Sequence, residues 1–227
     1  MRAPLSIIIP TLDAAGQLPA ALGCLGEGLE AGLIRELIVS DGGSTDGTAG
    51  IAEEAGAVLL TGPPGRGGQL RRGAQAAQGE WLLFLHADTH LSDGWREALL
   101  RHLRDRREMA GYFRLGFRAE GPAPRMVAGW ANLRARLLGL PYGDQGLLIS
   151  RRLYDDCGGY PDIPLMEDVA IARALGGQLA PIEAVAWTGA ERYQRQGWVR
   201  RGGRNLVTVT RYFLGADPER LARSYSR

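Results

Sequence analysis

Lysine is absent from the chain: all 27 basic residues are arginine. A Schiff-base enzyme, a pyridoxal-phosphate enzyme and a P-loop nucleotidase each need that amine, so all three are excluded. Cysteine is scarce. Cys24 and Cys157 are too few for a disulfide framework and form no CxxC pair. Long apolar runs are missing too; the longest is about half a membrane span, so no transmembrane helix is expected. Met1-Arg2-Ala3-Pro4 leads straight into a strand pattern with no apolar leader, and a reduced, cytoplasmic protein is the expectation. A Gly-rich dinucleotide loop is also lacking. Pro10 to Gly16 after the first strand carries no GxGxxG, and Gly65-Arg66-Gly67-Gly68 comes after the third strand instead, which argues against a dehydrogenase.

What is present suits one globular domain of 227 residues with 45% hydrophobic and 23% charged residues. The 33 glycines end apolar runs rather than repeat. Leu5–Pro10, Glu36–Ser40, Ala57–Leu60 and Trp81–Leu85 read as strands separated by helical segments at Pro19–Ala31, Thr48–Gly56 and Leu70–Gln78. That alternation implies a parallel α/β sheet. Asp93–Arg107 reads as an amphipathic helix with Trp95, Leu99, Leu100 and Leu103 inward and His102 solvated. Met109–Phe117, Leu147–Ser150 and Ala184–Trp187 read as further strands. Met126–Leu140, Arg151–Cys157, Val169–Leu175, Val199–Leu214 and Pro218–Tyr225 read as helices.

Charge is uneven. Residues 191–227 hold nine arginines against Glu191, Asp217 and Glu219, leaving the first 190 residues acidic. Such a tail suits a phosphorylated ligand, a membrane surface or nucleic acid, or is simply a solvated helix face. No groove-reading motif accompanies it, so no nucleic-acid partner is expected. Trp198, Arg200, Arg201, Arg204, Tyr212 and Phe213 would form a basic aromatic face for a peripheral membrane protein.

Three acidic clusters fall at loop or strand-end positions: Asp41, Asp88 and Glu167-Asp168. Open α/β sheets bind ligands outside their carboxyl ends, so Asp88 is placed to hold a metal or substrate. Asp41 and Ser44 also suit a plain turn, and Glu167 and Asp168 also suit a helix start.

Taken together, Ser6–Thr11, Ile38–Thr48, His86-Ala87-Asp88 and Glu167-Asp168 resemble the family 2 nucleotide-sugar glycosyltransferases. Phe84–Thr89, Tyr142–Gly146 and Pro164–Asp168 further resemble a bacterial subgroup labelled for arsenosugar biosynthesis. The resemblance implies a GT-A-like, mostly parallel sheet flanked by helices. It implies a single domain over 1–227, with a nucleotide-sugar half at 1–108, an acceptor half at 109–190 and a basic helical tail at 191–227. Pro10, Thr11, Asp13, Asp41, Ser44, Arg66, Gln69, His86, Ala87 and Asp88 would bind a UDP- or GDP-sugar. Asp144, Gln145 and Glu167 would meet the sugar or the acceptor, a small or lipid-linked hydroxyl compound.

Asp168 would be the general base of a direct, inverting displacement, with Glu167 beside it. Charge building on the leaving diphosphate needs Mn²⁺ or Mg²⁺, or arginines, to stabilise it. Asp88 would carry the metal, and Arg195, Arg200 and Arg201, with Arg192, are candidates for the diphosphate. The chain departs from the family at His86, which replaces the first acid of Asp-x-Asp. A His86 ligand favours manganese over magnesium; the other readings are a bond to ribose or backbone, a zinc site joined by His90, or an inactive relative. A nucleotidyltransferase would need a basic Gly-rich loop at 10–18, which is lacking.

Overall fold

Ile7 and Ile9 of β1 (Leu5–Thr11) enter one apolar core and Ile8 enters another. The two cores lie on opposite faces of one sheet, which is why its strands read as continuous apolar runs. The computed structural model describes residues 3–225; Met1, Arg2, Ser226 and Arg227, from the N-terminal lead-in and the basic tail, lie outside the described residues. The other strands are β2 (Ile34–Asp41), β3 (Val58–Thr61), β4 (Trp81–Phe84), β5 (His90–Leu91), β6 (Ala110–Phe117), β7 (Leu147–Ser150) and β8 (Leu179–Thr188). Their order is β3-β2-β1-β4-β7-β6-β8-β5. The expected α/β architecture is what forms.

Pairing is parallel from β3 to β4 and between β6 and β8. It is antiparallel where β7 meets β4 and β6, and where β5 meets β8. The carboxyl ends of β1, β2, β4, β6 and β8 therefore share one edge with the amino end of β7. Thr11 sits level with Asp41, and Phe84 pairs with Leu147. Segments scattered across more than a hundred residues thus emerge side by side, where ligands bind in such sheets.

The helices are α1 (Leu18–Gly23), α2 (Gly26–Glu30), α3 (Thr48–Glu54), α4 (Arg66–Ala76), α5 (Trp95–Asp105), α6 (Pro122–Leu138), α7 (Arg151–Asp156), α8 (Glu167–Ala174), α9 (Glu191–Gln196), α10 (Trp198–Phe213) and α11 (Pro218–Tyr225). Among the described residues none is long and apolar enough to cross a membrane.

Three expectations are corrected. The helix expected over Pro19–Ala31 breaks after Gly23, and Leu29 is exposed. Glycines at 23 and 26 weaken it there, and the indole of Trp95 donates to the Cys24 carbonyl at 3.0 Å. On α5, Leu100 faces solvent while His102 is buried, its Nε2–H on the Met109 carbonyl at 3.0 Å. His102 lies on the Trp95–Leu99 face, and that backbone acceptor engages one of its ring nitrogens. In the tail, Trp198 packs against Phe117 and Tyr193, with ring centroids 5.0 Å from each. Arg201 is buried with its guanidinium on Gln196 Oε1 at 2.9 Å. The basic aromatic face expected there is therefore split between inside and outside.

The loop before α8 rests on α4 through Gly67. A Cβ there would stand 2.3 Å from the Pro161 carbonyl oxygen and 2.7 Å from that of Ile163, whereas one at Gly50 meets nothing within 4 Å. Gly67→Ala should therefore destabilise the protein by about 1–3 kcal/mol. Gly50→Ala, inside α3, should stabilise it by about 0.5–1 kcal/mol. Urea unfolding of the two variants checks this; equal stability of Gly67→Ala and wild type would contradict the close packing.

Candidate active site

Residues 143–145, a single 3₁₀ turn ahead of β7, meet the loop after β4 and the start of α8. The Gly143 amide donates to Asp168 Oδ2 at 2.9 Å, and the other oxygen of that carboxylate accepts from Val169 N–H at 2.8 Å. A Cβ on Gly143 would stand 2.6 Å from His86 Nε2 and 3.7 Å from Asp168 Oδ2. Glycine is thus required where the imidazole and the carboxylate converge. Beside them lies a small cleft lined by Leu70, Phe84, Leu85, His86, Gly143, Tyr160, Glu167 and Asp168.

Glu167 is buried at the cleft floor with Arg66 Nη1 3.4 Å away. Burial raises its carboxyl to about 7, the Asp168 charge adds to the rise, and Arg66 opposes it. Asp144 is raised to about 6, first by burial, with Arg134 opposing and the charges of Asp168 and Asp88 contributing. Its Oδ1 is buried with no hydrogen-bond partner among the described residues. His86 is lowered to about 4, first by burial and then by Arg66, against the pulls of Asp88 and Asp168; Arg192 lowers it further. At neutral pH it is an uncharged imidazole. Asp88, Asp168 and Arg66 thus act on both His86 and Asp144, and Arg192 acts on His86 as well.

Asp88 is fixed through its backbone. Arg118 Nη1 donates to its carbonyl at 2.7 Å, and Thr188 Oγ1 lies 3.4 Å from Oδ2. His90 enters β5 opposite Trp187, and no three His, Cys, Asp or Glu side chains gather as a metal cage among the described residues. The zinc arrangement with His90 does not form. Arg118, Thr188 and Tyr160 had no signal in the sequence, since Arg118 and Thr188 meet Asp88 from 30 and 100 residues away along the chain and Tyr160 reaches the cleft through packing.

The strand-end polar residues fall into a second group. Asp41 is buried, and its Oδ1 accepts from Thr11 Oγ1 at 2.8 Å and from the Ser44 hydroxyl. Its Oδ2 accepts from the amides of Gly43 and Ser44 at 2.8 and 2.7 Å. Burial works against its charge, yet these bonds, led by the Ser44 hydroxyl, hold the carboxyl below its usual range. Asp13, at φ 48°, accepts from Thr45 N–H at 2.9 Å and donates its own amide to Ser44 Oγ at 2.8 Å. Gln69 is buried and donates to the carbonyls of Thr11 and Ser40 at 2.7 and 2.8 Å. Together these bonds stitch the loops after β1 and β2 to α4. Pro10 and Ala87 line the same edge, in β1 and in the loop after β4.

Gln145 is likewise buried, donating to the Phe113 carbonyl at 3.1 Å and accepting from Tyr142 N–H at 3.3 Å. Arg195 and Arg200 are exposed on α9 and α10, and Arg201 braces Gln196. Of the four tail arginines, Arg192 is the one whose charge reaches His86.

The Glycosyl transferase family 2 profile matches residues 6–152. Two proteins described as PGL/p-HBAD biosynthesis glycosyltransferases, from Mycobacterium bovis and Mycobacterium tuberculosis, are 40% identical over 99 residues. That stretch is 40% of this chain and 38% of theirs, so the chain matches about two-fifths of their length. Among solved structures, glucosyl-3-phosphoglycerate synthase from Mycobacterium tuberculosis, in complex with Mn²⁺ and UDP-glucose, aligns with a TM-score of 0.57. It is 23% identical over 82% of this chain and 69% of that one. S. aureus TarS 1-349 in complex with UDP-GlcNAc aligns at 0.64, with 16% identity over 82% and 58%. The shared fold is the GT-A type.

The Glu167 carboxyl binds its proton more tightly folded than unfolded, so stability is lost as pH rises from about 4.5 towards about 7. Glu167→Gln removes that charge. It should stabilise the protein by on the order of 1–3 kcal/mol at pH 8 and by little at pH 5. Denaturant unfolding at both pH values is the check; a loss of stability at pH 8 would mean that Arg66 carries the ionised form.

Proposed function

The chain belongs to glycosyl transferase family 2, and from that premise we propose that it moves a sugar from a nucleoside-diphosphate sugar to an acceptor hydroxyl with inversion. The observation that carries this reading is the meeting of Asp168 and His86 across Gly143, with Asp88 on the same loop as His86. Residues 1–108 would hold the donor and 109–190 the acceptor, with 191–227 as the tail of the same domain. The complexes of the structural neighbours with UDP-glucose and UDP-GlcNAc support a UDP-sugar as the first donor to test.

In this mechanism the acceptor oxygen attacks the anomeric carbon while the bond from that carbon to the diphosphate breaks. Asp168 is the base that takes the hydroxyl proton. Two backbone N–H bonds orient its carboxylate. Glu167, raised to about 7, sits behind it and keeps Arg66 directed at the cleft. Arg66 and Arg192 are the cations placed to receive the diphosphate. Asp144 offers its unpaired oxygen to a sugar or acceptor hydroxyl. Asp41, Gln69 and Gln145, engaged with neighbouring backbone and hydroxyl groups, act by holding the loops that shape the nucleotide and acceptor sites.

A divalent cation fits this donor set: Asp88 supplies a hard oxygen, and an ion of this kind is commonly bound by one or two carboxylates plus substrate phosphates. When bound it would spread the charge of the leaving diphosphate. The neutral His86 imidazole is able either to join it, which favours Mn²⁺, or to accept a ribose hydroxyl. The acceptor is a small or lipid-linked alcohol. An arsenosugar precursor belongs in the screen on the motif likeness of residues 84–89, 142–146 and 164–168.

UDP-sugars with Mn²⁺ should raise the melting temperature, and Asp88→Ala should abolish that rise. Asp168→Asn should keep the rise but lower transfer about 10²–10⁴-fold. Undiminished transfer by Asp168→Asn would overturn the base assignment. Donor binding without any transfer or donor hydrolysis in wild type would favour the inactive-relative reading.

A further inference from the structure

We propose that α6 and the adjoining α10 form a docking face for an anionic lipid bilayer, an interaction independent of the transfer reaction above. The inner side of α6, including Ala131, packs on β6 in the same cluster as Phe117. Its outer side carries Met126, Trp130, Leu133 and Leu137, which are 59%, 57%, 46% and 66% exposed. Their spacing of four, three and four residues places them in one stripe along the helix. A sulfur side chain, an indole and two leucines at such exposure form a contiguous apolar strip that an isolated globule does not need.

The charge around the strip selects its partner. From Pro122 to Gly143 there is no carboxylate, and Arg125 and Arg136 are exposed; from Arg192 to Ala216 there is again no carboxylate, and Arg195, Arg200 and Arg211 are exposed. α10 packs against α6 and leaves Leu206, Val207 and Leu214 exposed. An apolar strip within a field of arginines, with an interfacial tryptophan, matches a helix lying in the headgroup plane of an anionic membrane. A second copy of the chain fits poorly, because an isologous contact would bring arginine against arginine with no counter-charge. α6 has 17 residues and lies along the protein, so it would bind the surface without spanning it. Its carboxyl end continues into residues 139–146, which carry Gly143 to the cleft, so docking would bring the cleft close to the lipid headgroups.

This face differs from the one expected in the tail, where Trp198 and Arg201 are turned inward. Its test is co-sedimentation of the full chain with phosphatidylcholine vesicles, with and without phosphatidylglycerol. Binding is expected only with the anionic lipid and should fall as salt rises. Trp130→Glu combined with Leu133→Glu, both at exposed sites, should weaken it at least about ten-fold with the circular dichroism spectrum unchanged. Arg125→Gln combined with Arg136→Gln should weaken it several-fold without touching the apolar strip. Asp168→Asn should bind as wild type does, which separates docking from catalysis. Absent binding, or binding by both double variants equal to that of wild type, would overturn the proposal. A lipid-free dimer lost in Leu133→Glu on sedimentation velocity, with no vesicle binding, would assign the face to a second copy instead.

Discussion

The hydrogen bond from the Gly143 amide to Asp168 Oδ2, 2.9 Å long, joins the turn before β7 to the first turn of α8. Its acceptor is charged, and such bonds contribute about 1.5–3 kcal/mol, more than neutral ones. It forms only because residue 143 has no side chain, since His86 Nε2 occupies the place a methyl would take. The loop after β4, the turn before β7 and the start of α8 are thereby held in one arrangement. Without that bond, Asp168 would face the helix end alone and the cleft would lose one wall.

Around this joint the polar residues divide by how fully they are engaged. Asp41 accepts four bonds and Gln69 spans two carbonyls, so both are frame. Asp144 and Glu167 carry raised pKa values because burial outweighs their cationic neighbours. Buried carboxyls at the mouth of a sheet, opposed by Arg66 and Arg134, form an environment able to hold protons near neutrality. The protein maintains this at a cost to its own stability above pH 7, a common feature of sites under functional constraint.

Much of the fold was legible because the strands are apolar at successive positions and end in Gly, Asp or Pro, and because helical spacing separates them. Asp88 and Asp168 were legible as strand-end and helix-start acids. The engagement of Gln69 and Gln145 was not, because the carbonyls they donate to belong to other strands and carry no residue identity; that of Asp41 with Ser44 was readable as a turn, but its bond to Thr11 of β1 was not. His102 read as solvated because its arginine neighbours dominate α5; its acceptor is a carbonyl beyond the helix end. In the tail, Gly197 separates α9 from α10 and resets the helical phase. Arg201 is turned inward while the charge of Arg192 acts on His86, which no count of charges along the tail distinguishes.

The central proposal is that Asp88 and Asp168 lie close enough for one diphosphate, held through an ion, to sit between them. Paramagnetic broadening of backbone amide signals by Mn²⁺ in the presence of UDP tests it most directly. The amides of His86, Gly143 and Val169 should broaden together and stay sharp with Mg²⁺, while that of Leu179, at the far end of β8, should remain visible. Broadening confined to residues 86–90, with Gly143 and Val169 unaffected, would contradict the account.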